Sequence, residues 1–572
     1  MPMRASLRFS VLLLATAACA RSEPADLVLR QGVIYPFGID SAAAEAVAIR
    51  DGHIIYVGSD GEAKAYIGSR TRVIDLGGRM VLPGFHDTHV HPRGGIGLRE
   101  VVLDEAESRE AVLELVRRYA EARPDLPWVR GRGWALPLFP DANPRKEWLD
   151  TIVPDRPVYL TAADGHSVWV NSKALAVAGI TKTTKDPVDG RIERDPATGE
   201  ATGTLRESAS RLVEMHLPAY TQEEIRAGLT LAIEMANRYG ITSLYDAEAE
   251  VEVLAAYAAL DSAGQLNARV VAALAVDTRA GPGQVDSLRI LRAGHTGRAY
   301  FQPRAAKIFV DGVIEAKTAA LLEPYVGGSS RGEARLSPGG IDSLVAALDA
   351  AGFQVHLHAI GDRAMRMALD ALANARMHNG PRDARPIIAH LQLIDSMDIP
   401  RFAKLGVIPS FQPLWAWEDD YITKLTVPVL GPARSRHLYP IGSVARTGAR
   451  LAAGSDWPVS SMNPLEAIEV AITRRAPGAP SGPAWLPDEA VGLDAMLRAY
   501  TQGGAYAAFA EGTNGTLEIG KAADLIVLDR DLYRIPAAEI HVAKVVLTLL
   551  EGRQVWRDSS AIFRGTPTPS RP

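Results

Sequence analysis

Residues 83–91 read Pro83-Gly84-Phe85-His86-Asp87-Thr88-His89-Val90-His91. In an extended strand, side chains alternate between faces, so Asp87, His89 and His91 point the same way. Two imidazoles converging on one point suit zinc and similar borderline divalent ions, and Asp87 is placed to orient a ligand from behind. A lone His-x-His pair also occurs in buried strands for packing alone. Here, however, further groups of the same kind close later apolar runs: Lys307 within Ala306–Gly312, His356 and His358, His390, and Asp456. Runs of that composition are buried, so charged and imidazole groups at their ends are not explained as solvated faces. They predict a divalent metal centre of one or two ions, with zinc the expected identity. His356 and His358 share a face, and their spacing does not decide which of them binds the ion.

Such residues can meet only if the intervening elements bring them to one end of a common scaffold. From residue 226 onward, short apolar runs alternate with helical patterns, as in βα units around a parallel sheet. Candidate strands fall at 81–86, 241–246, 269–275, 305–310, 353–358, 387–390, 407–411 and 451–454. Eight is the number a closed TIM-type (β/α)8 barrel requires, and such barrels keep their active sites at the C-terminal strand ends. The barrel is expected over 83–104 and 226–505. Residues 105–225, rich in Trp, Pro and Arg, then form an inserted α+β lobe overhanging those strand ends. Residues 25–82 carry short β-type runs with Gly and Asp turn signals, and the same texture returns over 510–560. The two terminal pieces predict one small β-sandwich, and the fold class is α/β.

The motifs PGFHDTHVH, KIFVDG, HLHAIGDRA, AHLQ and GSDWPV, in this order, together with the terminal GTLEIGKAADLIVLDRD, resemble the amidohydrolase superfamily. The similarity is to its YtcJ-like branch, amidohydrolase family 3, which contains N-substituted formamide deformylase, and it spans nearly all of the chain beyond the first residues. The resemblance implies that His89, His91, Lys307, His358, His390 and Asp456 are the metal ligands, with Lys307 carboxylated. It favours His358 over its neighbour, leaving His356 an inward-facing companion. The chemistry implied is hydrolysis of a carbon–nitrogen bond other than a peptide bond, such as an amide or N-substituted formamide. The ion lowers the pKa of a bound water to about 7, and Asp456 accepts the water's proton and returns it to the leaving nitrogen. Ester cleavage or deamination at the same site, and an exported protein that merely binds a ligand in the metal cleft, are the competing readings. Asp164-Gly165-His166, Asn171-Ser172, Arg206-Glu207, Asp311, Phe411, Trp415, Trp417 and Trp457 are candidates to shape the pocket.

The 572-residue chain is 47% hydrophobic and 23% charged with a net charge of -5, and it contains no Lys/Arg-rich run. That balance is ordinary for a globular protein and argues against a nucleic-acid partner, leaving a small-molecule substrate. The oligomeric state is left open. Arg4 and Arg8 precede an apolar run, Val11 to Ala15, then Thr16-Ala17-Ala18-Cys19. The run is too short to span a bilayer, which needs about 20 apolar residues, and it reads as an export signal. Cys19 is the single cysteine. Its position resembles a bacterial lipobox over residues 1–19, with Thr16 where Leu is commoner. The expected product is a periplasmic protein or a membrane-anchored lipoprotein, simple cleavage after Ala18 or Ala20 being the alternative to lipidation.

Overall fold

The computed structural model describes residues 23–38 and 43–565. The expected export signal at 1–19, with Cys19, lies outside the described residues. Among the described residues, no helix is long and apolar enough to cross a membrane.

Two five-stranded sheets are built from the chain ends. One orders Arg564–Gly565, Arg72–Asp75, Leu27–Arg30, Ala46–Arg50 and His53–Gly58; the other orders Val33–Ile34, Met80–Pro83, Leu525–Leu528, Val545–Leu550 and Arg553–Arg557. Leu29, Val47, Ile49, Val81, Leu525, Val527 and Leu547 fill one apolar cluster between them. The strand Leu525–Leu528 lies antiparallel to both Met80–Pro83 and Val545–Leu550, so the two ends of the chain share a single ladder.

Met80–Pro83 leads directly into the barrel. The parallel sheet runs in order through Phe85–Val90, Ile241–Ala249, Arg269–Ala275, Phe301–Phe309, Gln354–Ala359, Ile387–His390, Ile408–Phe411 and Ala452–Ala453. These are the eight expected strands, with one correction. The run at 81–86 divides between a sandwich strand and the start of the first barrel strand, which reaches Val90. Gly84 separates the two: a Cβ there would lie 2.2 Å from Thr242 Oγ1, so only a residue without a side chain lets the path turn against the second strand. The seam between the eighth and first strands is closed at its upper end by Asp456 N donating to His89 O (2.7 Å) and His91 N to Trp457 O (2.8 Å). Gly454 permits this approach, since a Cβ there would lie 2.5 Å from His89 N.

Helices pack outside through apolar stripes. Gln222–Arg238 begins with a capping box between Thr221 and Glu224 and buries Ile225, Leu229, Ala232, Ile233 and Ala236, a spacing that places them on one helical face.

Between the first and second barrel strands, a six-stranded sheet orders Gly190–Arg194, Ala201–Glu207, Ser167–Val170, Val158–Ala162, Val129–Trp134 and Val101–Val102. It thus begins slightly before residue 105, and the helix Gln222–Arg238 starts ahead of residue 226. The tryptophans of this stretch pack inward, with Trp134, Phe139, Trp148 and Trp169 forming an aromatic cluster. Two of the pocket candidates are internal to this lobe. Asn171 accepts from Ala174 N and Val158 N and donates to the Val153 and Arg156 carbonyls. Arg206 is buried on Glu193, Ser167 and the Ala142 carbonyl.

Candidate metal centre

The C-terminal ends of the barrel strands bring the predicted ligands together. His89 and His91, at the end of the first strand, converge on Asp456, which lies just beyond the eighth. Their ligating atoms all fall within 4.8 Å of one another. Asp456 Oδ1 is 3.3 Å from His89 Nε2 and 3.2 Å from His91 Nε2. These contacts are not aligned as hydrogen bonds, and Oδ1 is buried without a hydrogen-bond partner. Lys307 Nζ, on the fourth strand, lies 3.3 Å from His89 Nε2.

His358 and His390 form a neighbouring pair with ring centroids 4.5 Å apart. His390 Nδ1 is 3.7 Å from Asp456 Oδ2 and is also buried without a hydrogen-bond partner. A converging nitrogen and oxygen set with buried polar atoms left over is what a divalent ion would complete. The residues present therefore fit a metal. His390 and Asp456 also hold left-handed backbones, with φ of 76° and 56°, a conformation that non-glycine residues adopt mostly where function or tight packing holds them in it.

His356 takes a different position. Its Nε2 lies 2.9 Å from His89 Nδ1, beneath the cluster. It fixes which His89 nitrogen is free, and that nitrogen is Nε2, the one facing Lys307 and Asp456. Asp87 lies behind the ligands and holds them through the backbone rather than through a ring. Its carboxylate accepts from Ser455 N, Ser455 Oγ and the His89 backbone N–H, pinning the seam on which Asp456 rides. Asp311 accepts from the Ala320, Ile360 and Gly361 N–H groups and stands 3.7 Å from His358 Nε2. Trp457 is buried against the seam with the Arg132 guanidinium 5.6 Å from its ring centroid. Trp415 stacks parallel to His390 at 5.7 Å, whereas Phe411 and Trp417 pack in or against the core.

The electrostatics suit metal ligation. Burial, and then the Lys307 ammonium, push His89 down to about 3. Burial and neighbouring imidazoles hold His356, His358 and His390 well below their ordinary range. All four are thus neutral at pH 7, the form that binds metal. Burial lowers Lys307 to about 8 against the pull of Asp456, Glu248 and Asp246. Burial would raise Asp456, but the His89 and His91 rings overcome it and keep the carboxyl well below the usual range. Burial also pushes Asp87 and Asp311 up to about 7.

The lobe contributes His166. Glu207 accepts from His166 Nδ1 (2.9 Å), Thr318 Oγ1 (2.7 Å) and Arg335 Nη2 (2.6 Å). One carboxylate thereby ties the lobe to the loops that follow the fourth strand. Burial works against this anion, yet His166 and Arg335 bring Glu207 down to about 2. His166 Nε2 is left available beside His358, the ring centroids 5.3 Å apart. His166 and His358 border a cavity of about 500 Å³ that also reaches His390 and Asp456 and extends under the lobe. The roles of Ser455 and of His356 beneath His89, and the bridging by Glu207, carry no local sequence signal, because each depends on contacts between distant elements.

The profile of the amidohydrolase family matches residues 72–556. Over 546 residues the chain is 31% identical to Protein LONG AFTER FAR-RED 3 of Arabidopsis thaliana, covering 93% of this chain and 92% of that protein. It is 30% identical over 542 residues to the putative amidohydrolase YtcJ of Bacillus subtilis, covering 92% and 99%. To the N-substituted formamide deformylase of Arthrobacter pascens it is 27% identical over 561 residues, covering 92% and 97%. A crystal structure of an uncharacterized metal-dependent hydrolase from Pyrococcus horikoshii has a TM-score of 0.71 at 25% identity, covering 89% of this chain and 99% of that one.

Proposed function

The chain belongs to the amidohydrolase family, and from that premise we propose that it hydrolyses a carbon–nitrogen bond other than a peptide bond, such as an amide or N-substituted formamide. The observation that carries this reading is the convergence of His89, His91 and Asp456, with buried atoms of Asp456 and His390 lacking partners. In this reading His89, His91, Lys307, His358, His390 and Asp456 hold one or two divalent ions, zinc being the expected metal. A divalent ion held there supplies a Lewis acid for the carbonyl oxygen and an acidified water.

The chain's own groups do the rest. Asp456 takes a proton from the attacking water as the carbon–oxygen bond forms, and gives it to nitrogen as the carbon–nitrogen bond breaks. His356 holds His89 in one tautomer. His166, with Nδ1 committed to Glu207, turns Nε2 toward the substrate. Lys307 is carboxylated: its partly neutral amine adds to carbon dioxide with loss of a proton, replacing a cation that would repel the metal by an anion that binds it. The leader directs the protein out of the cytoplasm and Cys19 carries a lipid; the mass of the mature N-terminus tests both.

The deciding experiment measures metal content and turnover on a panel of amides, formamides and esters. The expected result is activity lost on chelation, restored by zinc, and reduced by about 10² to 10⁴ in Asp456→Asn with metal retained. Bound metal with no turnover on any substrate would point instead to a ligand-binding protein.

A further inference from the structure

The cavity beside the metal centre has a chemical character of its own. Asp164, Glu315 and Asp419 line it together with Trp415, Tyr421 and Tyr439, and no Lys or Arg side chain does. Among the described residues, none of these three carboxylates has a Lys or Arg partner within ion-pair distance. Asp164 Oδ1 accepts from the His166 backbone N–H (3.0 Å), whereas Oδ2 is buried and has no hydrogen-bond partner. Glu315 Oε1 accepts from Gln392 (2.8 Å) and Thr426, neutral donors that position the anion without cancelling it. Asp419 accepts from the Ile422 N–H at 2.8 Å.

Nearby arginines are engaged elsewhere, Arg206 on Glu193 and Arg335 on Glu207. Burial raises Asp419 to about 6, and the neighbouring Glu315 adds to that rise. In this low-dielectric space, among the described residues, Glu315 and Asp419 have no cationic side chain within ion-pair distance and Asp164 has only the His166 imidazole beside it, so the lining favours entry of a positive charge. They do not meet as a chelating group: among the described residues, the set that brings three ligating atoms within 4.8 Å is His89, His91 and Asp456. Anions spread around a volume of this size, with aromatic walls between them, match an organic ammonium rather than a metal ion.

We infer that the substrate carries a positive charge, an ammonium or quaternary ammonium group a few bonds from the scissile bond, which Asp164, Glu315 and Asp419 receive between the aromatic walls. The inference rests on the hydrolase reading for its chemistry, but the recognition it describes can be measured without turnover.

The test uses the zinc-loaded protein and two formamides of equal length, N-(aminobutyl)formamide and N-pentylformamide, which differ by an ammonium in place of a methyl group. The cationic compound is expected to be favoured in kcat/KM by about tenfold or more. That ratio should fall toward one in Glu315→Gln and in Asp419→Asn; the glutamine keeps an acceptor for Gln392 and Thr426, and each variant's melting temperature verifies folding. A second arm measures calorimetric binding of butylammonium, tetramethylammonium and butanol. Tighter binding of the ammonium ions, lost in the same variants, supports the inference even if no formamide is turned over, in which case the hydrolase reading fails alone. Equal or weaker handling of the charged member in both arms overturns it.

Discussion

Replacing His356 by Phe separates a metal ligand from a group that holds one. His356 is fully buried, and its one hydrogen bond joins its Nε2 to His89 Nδ1 at 2.9 Å. Phenylalanine fills nearly the same space but leaves His89 Nδ1 buried and unpaired, a loss of about 1–3 kcal/mol. At about 1.4 kcal/mol per factor of ten, zinc affinity should weaken roughly 5- to 150-fold, in line with the about 10- to 100-fold seen when a partner behind a ligand is removed. Competition for zinc against a chromophoric chelator measures this directly. At saturating zinc the variant should hold as many ions as the parent and keep kcat within about fivefold, because no ligand has been removed. His358→Phe should instead lower the number of ions held or reduce kcat by about a hundredfold or more. If His356→Phe loses an ion at saturation while His358→Phe keeps both metal and turnover, the two roles are exchanged and the reasoning is wrong.

Other perturbations follow from the same contacts. Asp456→Asn should retain metal and cut kcat by about 10² to 10⁴, measured at saturating substrate; an unchanged rate would remove Asp456 from proton transfer. Glu207→Ala leaves Arg335 and His166 facing each other without their shared anion, and should lower stability by about 3 kcal/mol in denaturant unfolding; a change under about 0.5 kcal/mol would show that the lobe is held by other means. Burial lowers both His86 and His89 to about 3, so the folded chain binds fewer protons than an unfolded chain whose imidazoles titrate near their ordinary value. The contribution of these two imidazoles to the stability of the metal-free protein should therefore be complete above about pH 6.5 and fall away as pH drops toward about 3, opposed over the same range by the raised Asp87 and Asp311; melting in excess chelator, compared with His86→Gln, checks this, and a variant that loses stability on acidification as steeply as the parent contradicts it. Ser455→Ala removes one of the two hydrogen bonds from Ser455 to Asp87, and should reduce metal affinity while leaving its stoichiometry unchanged, read by the same chelator competition.

The eight barrel strands were legible because each is a short apolar run with its polar signals at the end, and the parallel order follows from the helices between them. The run at 81–86 spans two strands because Met80–Pro83 is the more apolar of the two, while Phe85–Val90 carries His86, Asp87, Thr88 and His89. Nothing local to Gly84 says that the chain changes sheets there; Thr242, far along the sequence, imposes it. His89, His91 and Asp456 could be read from type and spacing. The sequence offers His356 as an inward-facing companion, but its bond to His89 depends on a contact between distant strands. For Asp87, alternation gives the face of the strand but not the neighbour across the seam, and that neighbour is Ser455. The acids Glu315 and Asp419 lie on loops after different strands, where no periodicity operates.

The ladder that seats Leu525–Leu528 between Met80–Pro83 and Val545–Leu550 bears on how the molecule is made. While a nascent chain lacks its last portion, Met80–Pro83 presents a bare, wholly apolar edge immediately before the metal-binding strand. Such an edge invites pairing with other chains. Premature termination ahead of residue 525 should therefore yield aggregates rather than a smaller working enzyme, and closure of this ladder must wait until residues 525–528 have been made.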